Sequence, residues 1–189
     1  DKAINAVFGE VRLMQGKIIG QMNALGFSAK EEATLTALTL DVVKSSEIEG
    51  ELLNYDQVRS SIARRLGINT AGLVPGNRHI EGVVEMMLDA TQRNNLPLTK
   101  KRLFGWHAAL FPTGYSGPYE IEAGKYRTGK MQVVSGAIGK EKVHYEAVKP
   151  ERVKVEMDRF LDWFNNDSSL DPLLKAAIAH FWFIIIHPF

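Results

Sequence analysis

The stretch from 171 to 189, D-P-L-L-K-A-A-I-A-H-F-W-F-I-I-I-H-P-F, constrains this chain more than any other. Asp171 is a good N-cap, and Pro172 suits the first helical position. From Leu173 to Ile186 the segment is apolar almost all the way round. A helix apolar on every face is expected to be buried on every face. It is too short to cross a bilayer, and Lys175 and His180 interrupt it. The segment therefore reads as a central core helix that delivers one imidazole, His187, at its C-terminal end, where Pro188 stops it. Two roles stay open for His187. It could be structural, favoured by the C-terminal end of the helix dipole. It could equally be a general base, since an unperturbed imidazole titrates near neutrality.

The rest of the chain is mostly helical in pattern. Ile4, Val7, Phe8, Val11, Met14, Ile18, Met22 and Leu25 recur at helical spacing, closed by Gly26. Ser28 and Glu31 form a capping box for a second helix, with Leu35, Leu38, Val42 and Val43 on one stripe. Asn54 and Gln57 open a third helix that Gly67 stops. A fourth runs over 77–93, and Thr99 caps a fifth. Pro112, Gly114, Gly117 and Pro118 then break the chain into an irregular connection. Residues 125–134 and 142–147 change period and read as a β-hairpin turning through 135–139. Two strands alone are marginal in water, so the hairpin must lean on the helical body. A sixth helix, 150–164, turns Val153, Met157, Phe160, Leu161 and Phe164 inward. The fold class is mainly α, a helical bundle with a protruding hairpin.

Composition removes several function classes. At 189 residues the chain can bury a good core. It has no cysteine, which excludes disulfides, thiolate zinc sites and thiol catalysis. A net charge of +1 without a long basic run speaks against nucleic acid as main partner. No signal peptide or membrane span is visible, so a cytoplasmic location is expected. His79, His107, His144 and His180 are isolated; His107 and His180 read as satisfied core or boundary residues.

Two further segments carry chemical groups. In Ser45-Ser46-Glu47-Ile48-Glu49-Gly50, Ser45 and Glu49 share a helix face. Glu47, Glu49 and Glu51 oppose the helix dipole, at about 0.3–1 kcal/mol each when exposed. The segment is either a solvated helix end with Gly50 at C′, or it holds a carboxylate for a cation distant in sequence. The hairpin K-Y-R-T-G-K-M-Q-V-V-S-G is either a surface ribbon or an edge that pairs with an extended peptide.

Together these pieces resemble the Fic (Fido) family of protein adenylyltransferases. His187-Pro188-Phe189 resembles the start of the family motif H-P-F-x-(D/E)-G-N-G-R-x-x-R. S-S-E-I-E-G at 45–50 matches the inhibitory-helix pattern (S/T)-x-x-x-E-(G/N), and the hairpin between them resembles the family's flap. The resemblance implies a Fic-like helical bundle with a hairpin flap: an N-terminal helical region, 1–76, and a core over 77–189, in one continuous body. It implies transfer of AMP from ATP, with Mg²⁺, to a Ser, Thr or Tyr hydroxyl of a target protein. His187 would be the catalytic base. Val133, Val134, Ser135 and Gly136 would border the nucleotide. Glu49 would be the inhibitor, pairing with the second motif arginine, and Ser45 would steady its helix.

The chain starts at Asp1 without Met and stops inside the motif, so both ends read as trimmed. The magnesium ligand, the phosphate-binding turn and both arginines are expected after Phe189, with no metal ligand in this chain. As printed it is expected to be catalytically incomplete. Self-modification and a homodimer stay open as partners. Two alternatives stand beside transfer: the same fold removing AMP, with Glu49 positioning a water, and a non-catalytic helical module whose hairpin binds peptides.

Overall fold

The computed structural model describes the backbone of every residue except 1, 70, 71, 73, 138, 139 and 141, and omits the side chains of Lys2, Ala3, Phe27 and Ser28 as well. Its elements are α1 (Lys2–Ala24), α2 (Phe27–Ile48), α3 (Tyr55–Leu66), α4 (Arg78–Gln92), α5 (Lys100–Leu110), β1 (Tyr115–Ser116), β2 (Tyr119–Glu120), β3 (Gln132–Ser135), β4 (Lys142–Glu146), α6 (Pro150–Asn166) and α7 (Pro172–Ile186). The chain divides into two compact units, Asp1–Val84 and Glu85–Phe189. The fold is mainly α with small antiparallel hairpins, β1 with β2 and β3 with β4.

In the first unit, α2 and α3 pack on each other. Leu35 and Val42 of α2 are buried, as are Val58, Ile62 and Ala63 of α3 and Ile80, Val83 and Val84 of α4. The stripe on α2 is Leu35, Thr39 and Val42, one turn each. Thr39 joins an apolar row because its hydroxyl donates to the Leu35 carbonyl at 2.6 Å, so no polar group is left unmet. The expected capping box is not where α2 begins. Gly26 is the N-cap, so Ser28 lies inside the first turn, and its side chain is outside the described residues. Asn54 caps α3 as expected, accepting from the Gln57 N–H at 3.0 Å, and Gly67 ends it at φ 70°. The expected stripe on α1 is present but uncovered: Ile4, Val7, Val11, Met14 and Ile18 are all exposed.

The second unit is built on Leu103, Val153, Met157, Phe160, Ala179 and Ile186. Phe160 sits among the rings of Trp163, Phe164, Trp182 and Phe183 at centroid distances of 5.7–6.3 Å. α6 is the main neighbour of α7 among the described elements. This corrects the expectation that α7 is buried on every face. Leu174, Phe181 and Ile184 are exposed, because α6 packs along one side of the helix only. His180 faces solvent on that open side, so it is not a core residue. Lys175 is reconciled with its apolar helix by donating to the Asp167 carbonyl and lying over the Trp163 and Phe164 rings.

The hairpin is shorter than its sequence pattern. β3 begins only at Gln132: Lys125, Arg127 and Thr128 bond to a neighbouring loop and to the end of α7, and only from Met131, whose carbonyl accepts from the Ala147 N–H at 3.0 Å, does the chain pair across the hairpin. The turn positions Ile138 and Gly139 lie outside the described residues. A shift of register follows Val133: Val133 pairs with Tyr145, and Val134 with Val143. His144 is thus the extra residue of a bulge. β1 and β2, joined through Gly117 at φ 57°, appear where the sequence suggested only an irregular connection.

Candidate active site

The C-terminal end of α7 is where the second unit gathers its polar groups. His187 is the C-cap, with φ 47° and ψ 67°, and its N–H donates to the Phe183 carbonyl at 2.9 Å. It is the one non-glycine residue with positive φ among those described. A left-handed histidine is uncommon and persists only where surroundings over-determine it. Here Arg127 does so. Its Nε donates to the His187 carbonyl at 2.5 Å and its Nη2 to the Ile186 carbonyl at 3.2 Å. Its own N–H donates to the Pro188 carbonyl at 2.8 Å. The last carbonyls of a helix lack partners within it, and one guanidinium plus one amide satisfies three in a row. The same guanidinium reaches the Gly129 carbonyl at 2.7 Å and the Val148 carbonyl at 2.5 Å. Arg127 therefore ties both ends of the hairpin to the backbone of His187.

Tyr145 makes a second tie. Its hydroxyl, from β4, donates to the Ile185 carbonyl at 2.6 Å. The two residues after His187 are anchored as well. Pro188 is fully buried. Phe189 stacks on His107 at 4.2 Å and 15°, with Phe104, Tyr126 and Phe183 around it. His107 is buried, and its Nδ1 accepts the Gly124 N–H at 3.1 Å. Burial lowers its imidazole below the ordinary value, so it is a neutral packing group. Gly124, at φ 74°, is needed for that approach: a Cβ there would lie 3.3 Å from the Phe104 carbonyl oxygen. His187 thus keeps its imidazole clear of the anchoring. Among the described residues, its side chain makes no hydrogen bond or ion pair.

Val133, Val134 and Ser135 form β3, and Gly136 follows at φ 112°. Val133 and Val134 are both exposed. Ser135 Oγ lies 2.6 Å from His144 Nε2, which pins the strand ends across the bulge. The structure brings this hairpin and His187 into one unit and joins them through Arg127 and Tyr145. A cleft of ≈ 190 Å³ beside Phe189 and Arg127 is lined also by His107, Lys125 and Met131; His187 and residues 133–136 do not line it. Arg127 and Tyr145 went unnoticed in sequence. A lone arginine within K-Y-R-T-G was the available signal.

Ser45 and Glu49 belong to the first unit. Both are exposed. The helix they end closes on Gly50 at φ 85°: the Gly50 N–H donates to the Glu47 carbonyl at 3.0 Å, and the Glu51 N–H to the Ser46 carbonyl at 2.9 Å. This paired arrangement is the glycine-terminated helix end that sequence offered as one reading. Glu47 pairs with Lys44 at 2.5 Å, and Glu51 lies 3.9 Å from His79. Glu49 makes no hydrogen bond or ion pair among the described residues.

Residues 97–189 match the Fic/DOC family. The segment ahead of it, residues 1–68, matches a family described as a domain of unknown function, DUF4172. Protein adenylyltransferase Fic of Drosophila willistoni is 29% identical over 165 residues, 86% of this chain and 30% of that protein. Protein adenylyltransferase fic-1 of Caenorhabditis elegans is 38% identical over 71 residues, 36% of this chain and 12% of that protein. The chain thus spans less than a third of the length of these curated relatives. A solved Fic family protein from Desulfovibrio desulfuricans G20 shares the fold, with a TM-score of 0.56 and 24% identity, over 95% of this chain and 51% of that one. Within the segment that matches the Fic/DOC family, α7 and the hairpin are the elements that hold His187. No helix among the described residues is long and apolar enough to cross a membrane.

Proposed function

We propose that this chain is part of a protein adenylyltransferase held in check by Glu49. The observation that carries the reading is the likeness to proteins named protein adenylyltransferase over 86% of the chain. The clamped backbone and unengaged imidazole of His187 support it. ATP is the donor, and a hydroxyl side chain of a protein is the acceptor. His187 takes the hydroxyl proton as the oxygen attacks the α-phosphorus. The bond from that phosphorus to the bridging oxygen breaks, and pyrophosphate leaves. Such transfer depends on positioning and charge stabilisation more than on covalent chemistry by the protein. The exposed backbone of Val133, Val134, Ser135 and Gly136 borders the nucleotide, and the hairpin edge takes the target segment as an added strand. The magnesium implied by the resemblance finds no ligand set here: no group of three His, Asp or Glu that could hold a metal exists among the described residues. No step is assigned to it.

Glu49 is the restraining group because it is the unpaired carboxylate of its acidic cluster among the described residues, free to meet an arginine of the phosphate-binding motif. Ser45, one turn earlier, steadies that helix. The test is labelling by ATP carrying a radioactive α-phosphate, in the full-length protein. Glu49→Gly is expected to label itself or a target more strongly than wild type. His187→Ala in that background is expected to lose on the order of 10²–10⁴-fold in rate, the range for a general base. Undiminished labelling by the His187→Ala protein overturns the base assignment. Unchanged labelling by Glu49→Gly overturns the restraint.

A further inference from the structure

α1 carries an apolar seam that the described residues leave in solvent. Ile4, Val7, Val11, Met14 and Ile18 are 38–59% exposed. Their spacing alternates three and four, the a and d positions of a heptad repeat that runs to Ile18, where Gln21 takes the next d position. Single exposed hydrophobic side chains are ordinary, but a contiguous row along about 20 Å of helix is a docking surface. The helix also contains Gly9, Gly16 and Gly20. Each costs about 1 kcal/mol relative to alanine, and most of the stability of a protein helix comes from packing its apolar face. A partner lying on the seam would offset that cost.

The charges beside the seam identify the partner. Glu10 and Lys17 occupy successive g positions. Seven residues apart, they are too distant to pair with each other, and neither has an opposite charge three or four residues away on α1. In a parallel pair of such helices, Glu10 would face Gln15 and Lys17 would face Met22, the e positions, with no ion pair formed. In an antiparallel pair, g faces g. Setting Val11 of one helix against Met14 of the other places Glu10 opposite Lys17 and, by the two-fold axis, Lys17 opposite Glu10. The same register sets Val7 against Ile18. The seam is complementary to itself in that one orientation.

We propose that α1 forms an antiparallel two-helix coiled coil with α1 of a second copy of this chain. The contact is isologous, so it closes as a dimer. It is independent of the adenylyltransferase reading.

The test uses light scattering and sedimentation equilibrium on the purified chain. Wild type is expected to self-associate to a dimer. Glu10→Lys and Lys17→Glu should each weaken the dimer about tenfold or more, since each puts like charges at two symmetric contacts. Mixing the two variants should restore a heterodimer, and Glu10→Lys with Lys17→Glu in one chain should restore the homodimer. Both substitutions are on the surface, and far-UV circular dichroism checks that the fold is kept. Orientation is read by disulfide trapping, which is clean in a chain without cysteine. A mixture of Val11→Cys and Met14→Cys chains should cross-link between unlike chains; either alone should not. A wild type that stays monomeric at every concentration overturns the proposal. So does a dimer indifferent to both charge reversals, or one that Val11→Cys alone cross-links.

Discussion

Arg127 shows how much one side chain decides. It saturates the carbonyls of Ile186 and His187 and also reaches Val148 and Gly129. Removing it leaves the part-buried carbonyls of Val148, Ile186 and His187 without this donor, at about 1–3 kcal/mol for each that water cannot reach. Arg127→Ala should therefore cost about 3 kcal/mol, a fall in melting temperature of roughly 6–12 °C for a chain of this size. Lysine offers one ammonium in place of a planar fork, so Arg127→Lys should recover only part of that. Differential scanning calorimetry measures both. Tyr126 points the other way. Its hydroxyl is buried and has no hydrogen bond among the described residues, and burial, with Asp158 adding, pushes it up to about 12. Its ring meanwhile packs edge-on to Phe104 at 4.8 Å. Tyr126→Phe keeps the ring and removes an unmet polar group. It is expected to be neutral or stabilising by about 1 kcal/mol, read as a urea midpoint. A loss of 1 kcal/mol or more would mean that the hydroxyl has a partner.

At the scale of elements, α4 and α5 are joined by a charged network. Asp89 Oδ2 accepts from Arg102 Nε at 3.0 Å and from Trp106 Nε1 at 2.8 Å. Burial pushes the Asp89 carboxyl up, but the hydrogen bonds from Trp106 and Arg102 and the nearby guanidinium outweigh it and hold it below the ordinary range. The sign follows from linkage. A folded value below the unfolded one, about 3.9, means this stabilisation is full above that pH and is lost as pH falls through the folded value. Asp89→Asn should destabilise by about 1–3 kcal/mol at pH 7 and by distinctly less at an acid pH well below the unfolded value, as the wild-type carboxylate takes up its proton. Urea unfolding at the two pH values tests it. In α6, Phe160→Ala should cost about 3–5 kcal/mol, because four rings surround the side chain and cannot all collapse into the space it leaves.

Taken whole, the molecule separates stability from activity. Glu49 is exposed at a helix end whose turn is set by Gly50, so Glu49→Gln should shift stability by no more than about 0.5 kcal/mol, and upward if at all, by removing a negative charge at the helix C-terminus. Under the proposed restraint, labelling should nonetheless rise. A melting curve that coincides with wild type alongside increased labelling is the expected pair of results; equal labelling by both proteins counts against the restraint.

Much was legible in the sequence where local physics decides. Asn54, Thr99 and Asp171 cap their helices through short side chains that reach the next turn. Gly50 and Gly67 end helices because they take positive φ freely. Val153, Met157 and Phe160 fall inward at helical spacing. The motif fragment at 187–189, with the segments at 45–50 and 125–147, was enough to resemble the family that residues 97–189 match.

What sequence could not decide depends on which neighbour covers which surface. α1 and α7 both carry apolar residues at helical spacing, yet the stripe of one lies in solvent and the other helix is half covered by α6. Periodicity reports which side chains share a face, not what lies against it. His107 and His180 looked alike, but only the first is buried and has an amide to accept from among the described residues. Arg127 needed carbonyls some sixty residues away before it meant anything. Capping and turn chemistry act within a few residues and so are written in the chain's order. The left-handed His187, clamped by an arginine from another segment, exists only once tertiary contacts supply the energy to hold it there.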